Sequence, residues 1–411
     1  MGWADVFTRI LGSDLSVEIR AFDGSRSGAR DADVRLEIRS PLALSHLAAA
    51  PGELGLARAY ASGAIEVHGD MYTALASFPA VALGDIPPEL RRELAIKLAG
   101  YRLWWPVKTP AVEHKPKRVW RRHSKSRDSE VISYHYDVSN RFYEYVLGDS
   151  MAYTCAVFPS ADATLEQAQF EKHDLVARKL DLREGQRLLD VGCGWGGMVM
   201  HAAEHYGVRA LGVTLSRQQA QWAQKAIAER GLADLAEVRH MDYRDVAETG
   251  FDAVSSIGLT EHIGLKQLPS YFSSLADKLV PGGRLLNHCI TRPDGTHGSR
   301  PGKFIGRYVF PDGELEPVGT LVSAMNDNGF EVRHEENLRE HYALTLAGWC
   351  ANLDRNWDVA VAEGGLDRAR VWRLYMAACR LGFERNVVQL HQVLGTKLDG
   401  TDAKMPLRPS W

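Results

Sequence analysis

The segment Leu188-Leu189-Asp190-Val191-Gly192-Cys193-Gly194-Trp195-Gly196-Gly197 decides the fold of this chain. Its apolar beginning is typical of a central strand in a parallel sheet. The glycines that follow allow a tight turn and let the backbone approach a ligand closely. A helix is then expected to run to Tyr206 and to end at Gly207. The segment therefore predicts a strand, a turn and a helix that together bind a nucleotide.

The glycine spacing narrows the kind of ligand. A dinucleotide site would favour Gly-x-Gly-x-x-Gly with an acidic residue about 20 positions later. Here the spacing is Gly-x-Gly-x-Gly, and Thr214 and Ser216 stand at the end of the next expected strand. With Asp190 at the end of the first strand, this favours a ligand that has an amino-acid tail and a nucleoside but no pyrophosphate. Glycine-rich turns also occur at ordinary strand–helix junctions. The pattern of the surrounding sequence is therefore needed to decide whether this turn binds a ligand.

The surrounding pattern is long and regular. Further strands are predicted at Arg209–Thr214, Ala236–His240, Phe251–Ile257 and Arg284–Ile290, with helical segments between them. Strands that alternate with helices predict an α/β fold with a doubly wound parallel sheet. Such sheets bind their ligands at the carboxyl ends of the strands.

Several motifs, in order along the chain, resemble the cyclopropane-fatty-acid synthase family. They are His135-Tyr136-Asp137-Val138-Ser139-Asn140, Tyr153-Thr154-Cys155-Ala156, Leu189–Gly197, Gly212–Ser216, Asp242–Asp245, Glu261-His262-Ile263-Gly264 and Tyr308–Gly313. Members of this family use S-adenosylmethionine to modify the double bond of unsaturated acyl chains. The resemblance covers roughly residues 35 to 397 and implies a class I methyltransferase domain, which is Rossmann-like. The pattern also resembles the actinobacterial branch that makes mid-chain methylene and methyl-branched fatty acids.

The composition limits the remaining possibilities. The chain has 411 residues, which is enough for two or three domains, and its net charge of −3 provides no overall basic field for nucleic acid. Its five scattered cysteines contain no Cys-x-x-Cys pair, which argues against a disulfide framework or a metal site. Neither a signal peptide nor an apolar run long enough to cross a bilayer is recognised. We expect a cytoplasmic protein that associates peripherally with the inner face of the membrane.

Four segments are expected. Residues 1–95 form a smaller α+β domain, residues 96–130 a linker, residues 131–400 the S-adenosylmethionine-dependent catalytic domain, and residues 401–411 a C-terminal tail. In the first domain, Leu15–Phe22 and Val34–Ile38 alternate like strands of an antiparallel sheet. The resemblance implies lipid engagement or dimerisation for this domain, and packing without chemistry is the alternative.

The linker combines aromatic and basic residues. Trp104 and Trp105 lie in an apolar stretch that suits the membrane interface. A basic cluster attracts anionic phospholipid at about 1 kcal/mol per residue near the surface, although basic runs are also common in solvated linkers. The cluster consists of Lys108, Lys115, Lys117, Arg118, Arg121, Arg122, Lys125 and Arg127. A lipid substrate, which the resemblance implies, favours the membrane contact.

The resemblance also implies that five residues hold a bicarbonate ion that acts as a base. They are Cys155, Glu261, His288, Ile290 and Tyr342. Without the resemblance, Cys155 is a buried small hydrophobic residue, Glu261 a capping or ion-pairing residue, and His288 a hydrogen-bonded core residue. The position of Glu261 after a strand is where doubly wound sheets bind ligands, which favours the catalytic interpretation.

Glu144 departs from the family pattern, which usually has a small or apolar residue at this position. On the helix expected over Asn140–Leu147, Glu144 is either an exposed residue or a general base inside the acyl pocket, where desolvation would raise its pKa. Leu259 and Thr260 are a second departure, because the family more often has an aromatic residue there. Both departures favour a methylene product over a cyclopropane.

The motifs supply the other site residues. Those expected to contact the cofactor are Tyr153, Thr154, Asp190, Gly192, Gly194, Thr214, Leu215, Gln219, Asp242 and Tyr243. Tyr136, Phe142, Phe304 and Tyr308 are the candidates for substrate binding. Their aromatic faces, with that of Tyr153, can stabilise a carbocation without capturing it.

These features predict a fatty-acyl-phospholipid C-methyltransferase. It would transfer a methyl group to the double bond of a chain such as oleoyl and form a mid-chain methylene through a carbocation, a hydride shift and proton loss. The main alternative is a cyclopropane synthase. The others are an inactive lipid-binding module and a methyltransferase for a small molecule or a nucleic acid. The expected partners are unsaturated phospholipid, a reductase that acts on the product and a second copy of the chain, with no nucleic acid and no metal.

Overall fold

The structure, a computed structural model, describes residues 2–12, 16–78, 88–99, 107–114, 125, 127–128, 139–296 and 300–411. It divides into two compact units. The first comprises Met1–Pro116, Gly302–Pro311 and Leu353–Leu381, and the second comprises Lys117–Pro301, Asp312–Asn352 and Gly382–Trp411. The first unit thus combines three stretches of chain, whereas the sequence suggested one continuous domain over residues 1–95.

Strands and helices are numbered in chain order over the described residues. The strands are β1 (Glu18–Ala21), β2 (Arg26–Gly28), β3 (Arg35–Ile38), β4 (Ile65–His68), β5 (Arg187–Val191), β6 (Arg209–Thr214), β7 (Ala236–His240), β8 (Phe251–Ile257), β9 (Leu279–Thr291), β10 (Glu331–Asn337) and β11 (Gln389–Thr396). The helices are α1 (Trp3–Leu11), α2 (Leu42–Ala49), α3 (Glu53–Ala61), α4 (Met71–Ala76), α5 (Pro88–Ala99), α6 (Asn140–Leu147), α7 (Leu165–Leu180), α8 (Gly197–Tyr206), α9 (Arg217–Glu229), α10 (Leu268–Lys278), α11 (Lys303–Tyr308), α12 (Val318–Asp327), α13 (Arg339–Arg355), α14 (Trp357–Gly364) and α15 (Leu366–Glu384).

The first unit contains a small mixed sheet in the order β2-β1-β3-β4. The expected antiparallel pairing of its first long strands is wrong, because β1 and β3 run parallel. The polar segment between them contains β2, which pairs antiparallel with β1. The chain therefore turns back once before it enters β3.

The second unit contains a sheet in the order β10-β11-β9-β8-β5-β6-β7. The strands from β9 to β7 pair in parallel, which confirms the parallel sheet that the sequence predicts. At the other edge, β11 pairs antiparallel with β9, and β10 pairs antiparallel with β11. The strand order reverses between β5 and β8, so the crevice beyond their carboxyl ends is the expected ligand site.

The alternation of side chains along β5 produces a core on both faces of this sheet. Leu188 packs into one buried cluster, with residues of α7, α8 and α9. Leu189 and Val191 point the other way and pack with residues of α10 and α12. A strand that is covered on both faces is expected to be largely apolar. The buried Asp190 departs from this pattern and lies near the end of the strand at which a ligand is expected.

The C-terminal residues belong to the second unit. Trp411 packs against the cluster that contains Leu188. The carbonyl oxygen of Lys404 accepts a hydrogen bond from Arg284 at 3.0 Å. Among the helices that the structure describes, none has both the length and the apolar character needed to cross a bilayer.

Candidate active site

The glycine turn after β5 forms an open cradle. Gly192, Gly194 and Gly196 have φ angles of +74°, +54° and +80°, a region that favours glycine. The backbone N–H groups of Gly192 and Cys193 donate to the carbonyl oxygen of Val213, which ties the turn to β6. A Cβ atom added at Gly194 would meet no other atom within 4 Å. The space above the turn therefore has room for a ligand close to the backbone.

Asp190 is the buried acid at the end of β5. Its Oδ1 accepts a hydrogen bond from Ser255 Oγ at 2.7 Å. Burial raises the pKa of Asp190 to about 7, while Ser255 and the nearby Lys172 oppose that shift. A cationic ligand group would favour the ionised form, so the carboxyl suits an ammonium group.

At the end of β6, the predicted residues contact one another. Thr214 Oγ1 donates to Gln219 Oε1 at 2.8 Å, and the hydroxyl oxygen of Ser216 accepts from the backbone N–H of Gln219 at the start of α9. The carbonyl oxygen of Leu215 lies 3.1 Å from His240 Nε2. Thr214, Leu215 and Gln219 thus lie together beside the glycine turn, as expected for a cofactor site.

Asp242 follows β7, and its carboxylate already binds another side chain of the same chain. Arg244 contacts both of its carboxylate oxygens, at 2.8 and 2.6 Å, and also bonds to Asp128. Burial would raise the pKa of Asp242, but the hydrogen bonds from Arg244 lower it overall. Tyr243 packs edge-on against Tyr271, with ring centroids 5.2 Å apart. Contact of Asp242 and Tyr243 with an adenine ring stays a prediction.

The sequence analysis missed a polar face of α7. Gln169, Lys172 and His173 are buried at positions i, i+3 and i+4 of this helix. Gln169 Nε2 donates to the carbonyl oxygens of Ala152 and Thr154 at 3.3 and 2.9 Å, and Lys172 Nζ donates to Thr154 Oγ1 at 3.0 Å. The signal was present in the sequence, since three polar residues on one face of an otherwise apolar packing pattern require partners.

Four of the five predicted base-site residues are linked by a chain of hydrogen bonds and sheet pairing that passes through two other residues, Leu338 and Leu390. Cys155 Sγ lies 3.8 Å from the carbonyl oxygen of Leu338, which accepts from the backbone N–H of Tyr342. The N–H of Leu338 donates to Leu390, which is paired with Ile290 in the sheet. The N–H of Ile290 donates to Glu261 Oε1 at 2.7 Å.

His288, the fifth predicted residue, precedes Ile290 by two positions on β9, so their side chains share a face of the sheet. Its Nδ1 lies 3.2 Å from Gln392 Nε2, and Gln392 Oε1 lies 2.7 Å from Lys179 Nζ. Because a lysine amine donates, the amide oxygen faces Lys179 and the amide nitrogen faces His288. Neutral His288 therefore carries its proton on Nε2.

The base site favours uncharged forms of its groups. Burial raises the pKa of Glu261 to about 7 and that of Cys155 well above its usual range. Burial, with Lys172 and Lys179 nearby, lowers the pKa of His288. Within the described part of the chain, Glu261 Oε2 and His288 Nε2 are buried and have no hydrogen-bond partner. Each atom can donate to an oxyanion, His288 Nε2 as an N–H group and Glu261 Oε2 when that carboxyl is protonated.

Glu144 does not belong to this site, and its predicted role as a base in the acyl pocket is wrong. It is exposed on α6, where its Oε1 accepts from Trp222 Nε1 at 2.9 Å. The buried face of α6 carries Phe142, Tyr143, Val146 and Leu147. Glu144 lies outside this stripe and keeps its contact with solvent.

An aromatic cluster extends from the glycine turn to the base site. Tyr143 packs on Trp195 and Tyr153, with ring centroids 4.8 and 6.1 Å apart, and Tyr153 packs on Trp349 at 5.4 Å. Tyr342 continues the cluster, 6.0 Å from Trp349. Trp349 therefore lies between Tyr153 and Tyr342 in this cluster.

The other substrate candidates have different outcomes. Phe142 is fully buried and packs edge-on against Tyr143 at 5.7 Å. Phe304 and Tyr308 belong to the first unit, where Tyr308 Oη donates to Glu113 at 3.2 Å. Tyr136 lies outside the described residues. Contact of these residues with an acyl chain stays a prediction.

The basic linker is only partly described. Trp104, Trp105 and most of the basic cluster lie outside the described residues. Lys125 pairs with Asp245, and buried Arg127 pairs with Asp312 at 2.7 Å. These two cations are therefore engaged within the second unit and do not add to a free basic surface.

Comparisons with known proteins identify the family of this chain. Residues 123–393 match the model of a family described as "Mycolic acid cyclopropane synthetase". The chain is similar to a protein of Mycobacterium tuberculosis named "Probable fatty acid methyltransferase Rv3720", with 55% identity over 408 residues that cover 96% of this chain and 94% of the relative. A Pseudomonas putida protein named "Probable fatty acid methyltransferase" is 44% identical over 289 residues, 69% of this chain and 73% of the relative.

A similar solved structure is that of mycolic acid cyclopropane synthase CmaA1 complexed with SAH and CTAB. The TM-score is 0.61 at 32% identity, and the match covers 65% of this chain and 97% of that chain.

Proposed function

The chain belongs to the mycolic acid cyclopropane synthetase family, and from this premise we propose that it methylates the double bond of an unsaturated phospholipid acyl chain. The family and the class I methyltransferase fold that the sequence predicts are confirmed. Dependence on S-adenosylmethionine and the general activity of a fatty acid methyltransferase follow from the same similarities. The phospholipid acceptor, the base and the product are the proposal.

The observation that carries the proposal is a pair of buried polar atoms that have no partner among the described residues. An ordinary methyltransferase needs a cofactor cradle and an acceptor pocket. This chain has in addition Glu261 Oε2 and His288 Nε2, two buried atoms without a partner among the described residues. A reaction that must remove a proton from carbon explains why a methyltransferase keeps such a second site.

The cradle residues supply binding and orientation. When bound, S-adenosylmethionine offers its sulfonium methyl group to the π electrons of the double bond, and the S–C bond breaks with its electron pair left on sulfur. The open space at Gly194 admits the cofactor, and Asp190 suits its ammonium group. Close apposition in a dry pocket supplies much of the acceleration, because an isolated alkene is a poor nucleophile.

Methyl transfer leaves a positive charge on the neighbouring carbon of the acyl chain. The aromatic faces of Tyr153 and Tyr342 stabilise such a charge without forming a bond to it. A hydride shift from the methylated carbon moves the charge to that carbon. Loss of a proton from the new methyl group then leaves a mid-chain methylene, and the C–H electrons become the new double bond.

We propose bicarbonate as the base for that proton, and the two orphaned atoms are groups that would hold it when it is bound. His288 Nε2 carries a hydrogen and donates, and protonated Glu261 can donate from Oε2. Cys155 and Tyr342 are the other residues that we propose to surround the ion, and the N–H of Ile290 holds Glu261 Oε1 in place. The raised pKa values of Glu261 and Cys155 and the lowered pKa of His288 favour the uncharged forms of these groups, so the ion is the acceptor that we propose for the proton.

Ring closure is the second candidate outcome. If the methyl proton leaves before a hydride shift, its C–H electrons bond to the cationic carbon and form a cyclopropane. The similarity to CmaA1, named a cyclopropane synthase, favours this outcome. The two relatives named fatty acid methyltransferases favour the methylene, which is our proposal. Glu144 no longer supports either product.

The proposed acceptor is an acyl chain within a membrane, reached from the cytoplasmic side. The aromatic and basic residues of 96–130 support this in the sequence, although Lys125 and Arg127 are engaged by acids. A homodimer and a reductase that acts on the methylene stay proposals of the same kind.

The test uses S-adenosylmethionine with a trideuterated methyl group. The full-length protein is incubated with dioleoyl phospholipid vesicles and, separately, with oleic acid, and acyl chains are analysed by mass spectrometry. We expect the phospholipid chain to gain a CD₂ unit, since one deuteron leaves the methyl group. Transfer to oleic acid alone would contradict the phospholipid acceptor, and retention of all three deuteriums would contradict proton loss from the methyl group.

A further inference from the structure

We propose that Lys172 is a positioning residue for the cofactor and directs the hydroxyl group of Thr154 towards the carboxylate of the methionyl tail. The inference rests on S-adenosylmethionine as the cofactor. It does not depend on the acyl acceptor or on the product.

The first step is the direction of the hydrogen bond between the two side chains. Lys172 is 1% exposed, and its Nζ lies 3.0 Å from Thr154 Oγ1 and 2.9 Å from His173 Nε2. A lysine amine donates, so the oxygen of Thr154 accepts. The hydrogen of the Thr154 hydroxyl is then directed away from Lys172. Since Thr154 is only half-buried, that hydrogen can reach a ligand.

The second step is the location of Thr154. A Cβ atom added at Gly258 would lie 3.1 Å from Thr154 Cγ2, so Thr154 packs over the residue that follows β8. β8 pairs with β5, the strand that ends at Asp190 and the glycine turn. Thr154 therefore lies at the crevice where the strand order reverses, on the same edge as the cradle.

The third step is charge complementarity with a zwitterionic tail. Burial lowers the pKa of Lys172 to about 7, and Cys155 and Asp190 oppose that shift. A ligand carboxylate near Lys172 favours the ammonium form, just as a ligand ammonium group favours ionised Asp190. An amino-acid tail therefore supplies each buried group with its opposite charge.

A purely structural role for Lys172 does not explain its contact with the Thr154 hydroxyl as well as the proposed role does. The segment that carries Thr154 is already held by Gln169, which donates to the carbonyl oxygens of Ala152 and Thr154. What Lys172 adds is a contact to the side-chain hydroxyl. Its loss should change the orientation of that hydroxyl more than the path of the backbone.

The experiment compares two ligands by titration calorimetry on the full-length protein. S-adenosylhomocysteine has the amino-acid tail, whereas 5′-methylthioadenosine has the same nucleoside and thioether without it. Lys172→Met should weaken S-adenosylhomocysteine about 10- to 100-fold, the effect of a lost charge-assisted hydrogen bond, and change 5′-methylthioadenosine less than about twofold. Thr154→Val should do the same, and Thr154→Ser should bind like the unmodified protein.

The double variant Lys172→Met with Thr154→Val shows whether the two residues act as one unit. It should bind S-adenosylhomocysteine no more weakly than Thr154→Val alone. Equal losses for both ligands, or losses that add in the double variant, would overturn the proposal. If Lys172→Met does not fold, Lys172→Gln replaces it, because its amide N–H still donates, and a smaller loss is expected. If Thr154→Val binds S-adenosylhomocysteine as tightly as the unmodified protein, the proposal is overturned, whatever the effect of changing Lys172. This result would leave the proposed acyl methylation to its own test.

Discussion

The 3.2 Å hydrogen bond from Gln392 Nε2 to His288 Nδ1 determines that His288 presents an N–H group, and not a lone pair, to the base site. Lys179 holds the amide oxygen of Gln392 and so prevents the amide from turning over. Burial keeps the imidazole neutral by lowering its pKa. His288 is thereby suited to hold an oxyanion and unsuited to remove a proton itself.

Gln392→Glu should reverse this arrangement. A carboxylate accepts from Lys179 and from His288, so the ring proton moves to Nδ1. We expect nitrogen-15 spectra to show an unprotonated Nδ1 in the original protein and a protonated Nδ1 in the variant. Turnover should fall about tenfold or more, with the KM for S-adenosylmethionine nearly unchanged. Gln389→Glu, on the same strand, is the control. If Nδ1 is already protonated in the original protein, the tautomer assigned to His288 is wrong.

Gly194→Ala should weaken cofactor binding without unfolding the protein. Its φ of +54° costs an alanine about 1 kcal/mol, and the new Cβ would enter the open space of the cradle. We expect S-adenosylhomocysteine to bind at least about tenfold more weakly by calorimetry. Gly185→Ala is a matched control, because Gly185 also has a positive φ, +81°, and no atom near its added Cβ. Equal affinities in the two variants would show that the cradle is not the cofactor site.

Glu261→Gln should stabilise the protein in a pH-dependent way. The pKa of Glu261 is raised from 4.5 to about 7 by burial, so its stabilising contribution is complete below about pH 4.5 and is lost as the pH rises through about 7. The amide does not ionise and still accepts from Ile290.

Urea unfolding of both proteins at pH 5 and pH 8 measures this effect. At about 1.4 kcal/mol per pKa unit, the advantage of Glu261→Gln should grow by about 3 kcal/mol between these pH values. The pKa shifts of other groups affect both proteins equally, so they cancel in the difference between the two free energies of unfolding. Exposed Glu184→Gln should show no such growth, and a constant difference for Glu261→Gln would contradict the raised pKa.

Glu144→Gln should leave the reaction unchanged. The side chain is exposed, and an amide oxygen can still accept from Trp222. We expect turnover within about twofold and the same product by mass spectrometry, as is usual for surface changes. A new product or a large loss of turnover would restore Glu144 to the mechanism.

Local patterns sufficed to predict the strand, turn and helix around which the cofactor residues are proposed to lie. The strand and glycine turn over Leu188–Gly197, and the cluster of Thr214 with Gln219, depend on residues close in sequence. The burial of α6 was also readable, because Phe142, Tyr143, Val146 and Leu147 form one helical stripe that excludes Glu144. Glu144 departs from the family pattern, but its position outside the stripe is typical of an exposed side chain.

Long-range packing accounts for what the sequence could not supply. Lys172 acquires a role only because α7 packs over the segment of Thr154, and Gln392 because β11 pairs with β9. The parallel pairing of β1 with β3 depends on a three-residue strand, Arg26–Gly28, that is too short to predict from alternation. These features depend on contacts between segments that are distant in sequence, so the spacing of neighbouring residues does not predict them.

The most direct test of the account is ozonolysis of the acyl product made from monounsaturated phospholipid vesicles and S-adenosylmethionine. The account predicts a chain that has gained one CH₂ unit and that ozone converts to a mid-chain ketone, with loss of the methylene carbon as formaldehyde, as a mid-chain methylene requires. A product of the same mass that resists ozone would be a cyclopropane and would contradict the proposed product. The absence of any CH₂ gain, with S-adenosylhomocysteine binding intact, would contradict methyl transfer to the double bond itself.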